Sequence, residues 1–446
     1  MRRLLIVSPC FPPVNTPDMQ RTRMSLPYLR EFGWEPAVLA VDPAYLESLV
    51  EPLLLQSLPP DVPVHRVRAL PARWMRRAGI GAVALRAFFF LYREGLRMIR
   101  RYQPDVVYFS TTAFQAMALG RMWKARTGVP YVLDIQDPWV PEPEQVHSLN
   151  RGLKHRLAAR LHKVLEPWTM RQTDGLVAVS ENYHVILRRR YPWIKKDRCL
   201  TLPFGADARD HEIARRAAPA DEFFQRGDGA IHGVYTGRLG LDMAHACTVI
   251  CAAVRKGLAQ RPELYGRLRL HFIGTDYASG SLARTTIAPI AMEAGLNGSI
   301  REHPQRVPYF TALRLQQEAD FLLVPGSVDP AYTASKIYPL ILARRPLIAV
   351  FHEDSSVVDV LRSTGAGHVV TFRTGEDADV LSERLLRAWT SLLEKLPFTP
   401  CVNWDVFEAY SAREMTRRQC AFFDRIVSRS PWPQGVALTG ADPKSP

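Results

Sequence analysis

The sequence predicts an α/β protein made of two doubly wound parallel sheets. Three observations carry that expectation. Short apolar runs rich in β-branched residues alternate with longer amphipathic stretches along most of the 446 residues. Such alternation is the pattern of β-α-β units. It stops over the polar, strand-free stretch "GADARDHEIARRAAPADEFFQRGDG" (205–229) and then restarts, which divides the chain into two halves of similar size. With 47% hydrophobic residues, each half has enough apolar side chain for its own core.

In the first half the strand candidates are 4–8, 35–41, 106–109, 131–135, 175–179 and 199–202. Helical stretches such as 117–127 and 153–172 lie between them. In the second half the candidates are 231–235, 269–273, 321–324, 347–350 and 367–370. Segment 406–428 has helical periodicity, and the Pro/Gly-rich tail "SPWPQGVALTGADPKSP" has the composition of disorder. The domain reading is therefore 1–204, a linker region over 205–230, 231–400, a C-terminal helix within 401–428 packing back on the first domain, and a disordered tail over 429–446. Ligands of such sheets sit beyond the carboxyl ends of the strands, here expected in a cleft between the two domains.

Bulk properties narrow the classes. The net charge is +14, and residues 1–200 hold 30 Lys and Arg against 17 Asp and Glu. The excess thus lies in the first half and points to an anionic partner there, such as a membrane surface or a phosphorylated substrate. No RNP-like, KH-like or zinc-finger motif accompanies it, so nucleic acid is not expected. No apolar window is long enough to cross a bilayer. The N-terminal apolar run ends at Ser8-Pro9, too short for a signal peptide. Six scattered Cys form no CxxC and are read as buried thiols of a reducing cytoplasm.

Several segments carry candidate chemistry. In "LLIVSPCFPPVNTPDMQRTR" (4–23) a strand runs into a Pro-rich loop and then a helix, with Asp18 as a possible cap and Arg21 and Arg23 in the opening turns. Loops that feed helix N-termini favour anions. "VPYVLDIQDPW" (129–139) ends a strand with Asp134 and Asp137, acids able to accept from hydroxyls or act as bases, although Asp134 can equally cap a turn. Ser180, in "TDGLVAVSENY" (173–183), reads as a helix cap. "GVYTGRLG" (233–240) places Arg238 in a Gly-flanked turn, suited to charge-assisted bonds with a phosphate. "HFIGTDYASG" (271–280) contains a second Gly turn. "ASKIYPLILARRPLIAV" (334–350) joins a short helix, from about Ser335 to Ala343, to a strand; Ser335 would cap it and Lys336 would add charge at its N-terminus.

Taken in order, these segments resemble the GT-B glycosyltransferases of family 4, retaining enzymes that transfer a sugar from a nucleoside diphosphate. The "PxFPP" loop with "GWEPAVL", "DIQDPW", "LPFGAD", "YTGRLG", "VPYFTALRLQQEADFLLVPGS" and "SKIYPLILARRPLIAV" carry the likeness, which spans nearly the whole chain. It implies a GT-B fold of two Rossmann-like domains facing across a cleft. It also implies Gly237, Arg238, Gly274, Ser335 and Lys336 around the donor diphosphate, and Arg21, Asp134 and Asp137 toward the acceptor. Asp137, Arg238 and Lys336 are the catalytic candidates.

Departures from the family pattern are equally plain. The N-terminal loop lacks the Gly-Gly pair, Gln136 replaces an Arg, and Phe204 replaces an Asn. Both acids of the Glu-x7-Glu signature are missing, with Ala331 and Pro339 in their places. Asp329 and Glu353 are the nearest substitutes.

The resemblance implies transfer from an NDP-sugar to a lipid-linked or polysaccharide acceptor, without metal or other cofactor. The expected location is cytoplasmic, peripheral to the inner membrane face through the basic half. Two stretches, 73–102 and 151–172, are the membrane-contact candidates. The first reads equally as an ordinary sheet-packing helix. The missing acids leave open a second class, a catalytically silent GT-B protein that binds or scaffolds a partner transferase.

Overall fold

Seven strands form the first sheet: β1 (Arg2–Val7), β2 (Trp34–Val41), β3 (Val64–Val67), β4 (Val106–Ser110), β5 (Tyr131–Ile135), β6 (Gly175–Ala178) and β7 (Cys199–Thr201). Six form the second: β8 (Ile231–Thr236), β9 (Leu268–Ile273), β10 (Ile300–His303), β11 (Phe321–Pro325), β12 (Leu347–His352) and β13 (His368–Phe372). The computed structural model describes residues 1–77, 81–141, 153–219, 223–276, 283–330, 332 and 335–429. The expected disordered tail lies outside the described residues but for Arg429, which ends a helix.

Every strand pairing is parallel, in the orders β3-β2-β1-β4-β5-β6-β7 and β10-β9-β8-β11-β12-β13. Both sheets reverse direction once, between β1 and β4 and between β8 and β11. Each reversal opens a crevice beyond the carboxyl strand ends, where doubly wound sheets bind ligands. All eleven expected strands are present. The two additional ones, β3 and β10, are the edges of their sheets beside β2 and β9.

The chain divides into two compact units, residues 1–205 with those from Ala412 onward, and Ala206–Ser411. In the first unit the Ala412–Arg429 helix covers one face of the sheet. Its Phe423 meets Trp34 at 5.6 Å and Tyr108 at 5.1 Å between ring centroids. Phe422 leaves no room at Gly175, where an added Cβ would stand 2.8 Å from its ring. The other face is covered by Val83–Tyr102, which buries Ala84, Ala87, Leu91, Met98 and Ile99, and by Ala118–Thr127. The 83–102 helix is thus a sheet-packing element, and its Gly95 lies so close to the Ala118–Thr127 helix that a Cβ would be 2.1 Å from the Trp123 ring.

The segment read as a linker region folds into the second unit. Asp207 caps the Ala208–Ala217 helix by accepting from the Arg209 amide at 3.0 Å. Tyr309 donates to Asp210 at 2.9 Å, and Gln317 donates to the His211 carbonyl at 2.9 Å, which fastens this helix to Tyr309–Glu318. Of the six free cysteines only Cys247, Cys251 and Cys420 are buried; Cys401 is exposed, and Cys10 and Cys199 are half-buried. Among the described residues no helix is long and apolar enough to cross a membrane.

Candidate functional site

In the second unit the loop after β8 gathers three of the expected donor residues, Gly237, Arg238 and Lys336. Gly237 takes φ +139°, a conformation that L side chains rarely adopt, and its amide donates to the Ile273 carbonyl at 2.9 Å. The Lys336 amine packs directly on it: a Cβ on Gly237 would lie 2.4 Å from Nζ. Among the described residues no carboxylate pairs with Lys336. Burial, then the like charges of Arg238 and Arg306, pulls its pKa from 10.5 down to about 7. A lysine so placed gains from any arriving anion.

Arg238 is held by Asp242, with Nη2 2.5 Å from Oδ1 and Nη1 3.3 Å from Oδ2. The pair lies across Gly240, where a Cβ would be 2.4 Å from both side chains. Burial works to raise the Asp242 carboxyl, but its contacts with Arg238 and Ser327 prevail and its pKa is lowered. The Asp242 carbonyl also accepts from the Val328 amide at 2.9 Å. Asp242 therefore ties the loop after β8 to the loop after β11, across the crevice where this sheet reverses.

Gly274 ends β9 at φ +71° and donates to the His303 carbonyl at 2.8 Å. A Cβ there would meet only ordinary contact, 3.7 Å to the Arg306 Cα, so its backbone conformation is what asks for glycine. The helix following Lys336 is shorter than expected, Ile337–Leu342, and begins two residues later. Lys336 itself is the N-cap, with no side-chain cap bond. Ser335, expected as the cap, only accepts a 3.4 Å contact from the Tyr338 amide through its carbonyl. Pro339 falls in the first turn, where the missing amide costs no helical bond. Tyr338 stacks on Tyr410 at 4.9 Å. Glu353 pairs with Arg373 at 2.7 Å. Ala331 lies outside the described residues.

In the first unit Arg21 and Asp134 are both fully buried and bonded to each other, Nε to Oδ2 at 2.8 Å. The guanidinium also donates to the carbonyls of Leu202 (2.7 Å) and Pro203 (3.3 Å) and lies 4.7 Å from the Phe204 ring centre. Phe204 thus supplies an aromatic face to Arg21. Asp134 Oδ2 further accepts from Ser110 at 3.0 Å and Gln136 at 2.7 Å. Expected to face an acceptor, Arg21 and Asp134 present no surface to solvent and instead brace β5 against the end of β7. Asp18, expected as a cap, turns away from its helix: its Oδ2 accepts from Thr111 Oγ1 at 2.9 Å and the Thr112 amide at 3.1 Å. That contact joins the loops after β1 and β4 across the reversal of this sheet.

Asp137 is exposed and, among the described residues, has no hydrogen-bonded or ion-paired side-chain partner. Crowding around its carboxyl, then the charge of Asp18, raises its pKa. Tyr183 stands within electrostatic reach of it: burial first, then Asp137, raises the phenol. Ser180 caps the Glu181–Arg190 helix as expected. Among the described residues no group of three or more His, Cys, Asp or Glu is placed to hold a metal ion. Sequence reasoning missed Arg306 and the Asp242 partner. Only the four-residue spacing of Arg238 and Asp242 offered a signal.

Residues 20–205 match the family described as Glycosyl transferase 4-like domain. No curated protein matched the sequence. Among solved structures, a glycosyltransferase from Rickettsia africae is similar with a TM-score of 0.57 at 13% identity, over 96% of this chain and 99% of that one. HepE of Anabaena in complex with UDP gives 0.57 at 12%, over 95% and 100%. A UDP-forming α,α-trehalose-phosphate synthase from Burkholderia xenovorans gives 0.54 at 14%, over 96% and 99%. The chain has the GT-B fold, and its residues 20–205 are similar to the glycosyl transferase 4-like family.

Proposed function

We propose that this protein transfers a sugar, with retention, from a nucleoside-diphosphate sugar to a lipid-linked or polysaccharide acceptor at an anionic membrane surface. The observation that carries the reading is the Lys336 amine seated on Gly237, with Arg238 and Arg306 close enough to depress its pKa. Lys336, Arg238 and Arg306 bring three cations together there, an arrangement suited to a diphosphate. UDP is the first nucleotide to try, because HepE was solved with UDP and with UDP-glucose.

On this reading Gly237 and Gly274 let the backbone approach the diphosphate, and Ser335 and Lys336 meet it from the neighbouring loop. Arg238 and Lys336 stabilise the charge that develops as the diphosphate leaves, a role that requires no metal. Asp137 faces the acceptor, where a carboxylate of raised pKa can accept a hydroxyl proton. Arg21 and Asp134 position the loop that carries it. The test is turnover with a panel of NDP-sugars in the wild type and in Arg238→Ala. Loss of at least about tenfold in kcat/KM is expected for one charge-assisted contact; unchanged turnover contradicts the assignment.

One observation favours a silent binding subunit instead. Pro339 stands where the family carries a ribose-binding acid, and Glu353 is engaged by Arg373. A folded protein that binds no nucleotide and copurifies with a second transferase supports that reading.

A further inference from the structure

A surface helix ordinarily turns its polar side to water. Over its described side chains, the Leu153–Met170 helix buries its acid and leaves large apolar side chains in water. Its one acid, Glu166, is 1% exposed and accepts from Tyr191 Oη at 2.6 Å and Arg190 Nη1 at 2.8 Å. Thr169 and Met170 are buried beside it. Toward solvent stand Leu161 (38% exposed), Val164 (65%) and Trp168 (38%), spaced three and four apart so that they form one stripe.

Basic side chains frame that stripe. Arg160 and Lys163 are exposed on the same helix, and Arg171 follows it. The Arg121 guanidinium lies 4.5 Å from the Trp168 ring centre, and that of Arg171 lies 5.8 Å from the ring of Trp193, itself 45% exposed. Between residues 153 and 171 there is no acid other than the buried Glu166.

We propose that this face docks on an anionic lipid bilayer. An apolar stripe with tryptophan, rimmed by cations and free of outward carboxylates, matches the boundary between acyl chains and anionic headgroups. The charge decides for lipid over an ordinary protein face: residues 151–200 hold 12 basic side chains against four acidic. The inference deepens the membrane part of the reading above. It places the contact on 158–171 and not on 83–102, which exposes Phe89 but packs most of its apolar residues on the sheet.

The test is cosedimentation of the full chain with phosphatidylcholine vesicles, with and without phosphatidylglycerol, alongside UDP titration in solution. Wild type is expected to sediment with the anionic vesicles alone and to be released by salt. Val164→Glu and Leu161→Glu are expected to weaken sedimentation by about tenfold or more. Both positions are exposed, and retained circular dichroism shows that the variants fold. A folded wild type that stays in the supernatant overturns the proposal, as do variants that sediment like wild type; the face then serves another partner, such as a protein. Sedimentation without UDP binding would sink the donor reading and leave the docking face standing, and the converse separates them equally.

Discussion

The amine of Lys336 occupies the space that a side chain on Gly237 would need: Nζ is 2.4 Å from the position of an added Cβ. Gly237 also takes φ +139°. The backbone conformation strains any larger residue, and the lysine would have to move aside for one. Gly237→Ala is expected to destabilise the second unit by about 1–3 kcal/mol and to displace Lys336, weakening nucleotide binding. Denaturant unfolding and a UDP titration on the same variant check the two effects.

Binding of a diphosphate should take up a proton. The Lys336 pKa is about 7 in the folded protein against 10.5 for the free side chain. An anion beside the amine favours its charged form and raises that pKa. Between about pH 7 and that raised pKa the complex then holds more protons than the free protein. UDP affinity is expected to fall as pH rises above 7, and calorimetry in buffers of different ionisation enthalpy should register the uptake. The sign for folding is opposite. Between about pH 7 and 10.5 the unfolded chain holds the extra proton, so the Lys336 contribution to stability improves as pH rises. Lys336→Met should remove both dependences.

The buried Arg21–Asp134 pair predicts a structural defect confined to the first unit. Removing either partner leaves a buried charge uncompensated, at a cost of about 3–5 kcal/mol. Arg21→Ala and Asp134→Ala should each lower the denaturation midpoint, and the double variant should cost less than the sum. UDP binding by the second unit should persist in both single variants under conditions where they stay folded.

Pro339→Glu offers a gain-of-binding test. The position lies in the first turn of a helix, where an acid is favoured and the restored amide is harmless. A new hydrogen bond to ribose is worth roughly 0.5–1.5 kcal/mol, so UDP should bind about two- to twelvefold more tightly. Unchanged affinity would show that the ribose does not reach this helix.

The fold was legible because buried parallel strands are apolar along their whole length. β3 and β10 escaped because edge strands are short and polar: "VHRV" and "IREH" carry five charged or titratable side chains between them. The site was legible only in part. Glycine turns and basic residues stand out in a sequence, and the resemblance put Gly237, Arg238 and Lys336 in order. The partners of those residues did not stand out. Asp18 looked like a cap because it precedes a helix, but the chain enters through a short 3-10 turn that frees its carboxylate for Thr111. Arg306 follows β10, the strand that the sequence hid. Arg21 and Asp134 looked like ligands because charge is usually exposed, and only the structure shows them bonded to each other in the interior.

The central claim is that Lys336 and Arg238 hold a nucleoside diphosphate. The most direct measurement is a calorimetric titration of the purified protein with UDP, GDP, ADP and dTDP, without added metal, repeated on Lys336→Ala and Arg238→Ala. The account predicts selective binding of one nucleotide, weakened by both substitutions. A folded wild type that binds none of the four, or binds one with the same affinity in both variants, would contradict it.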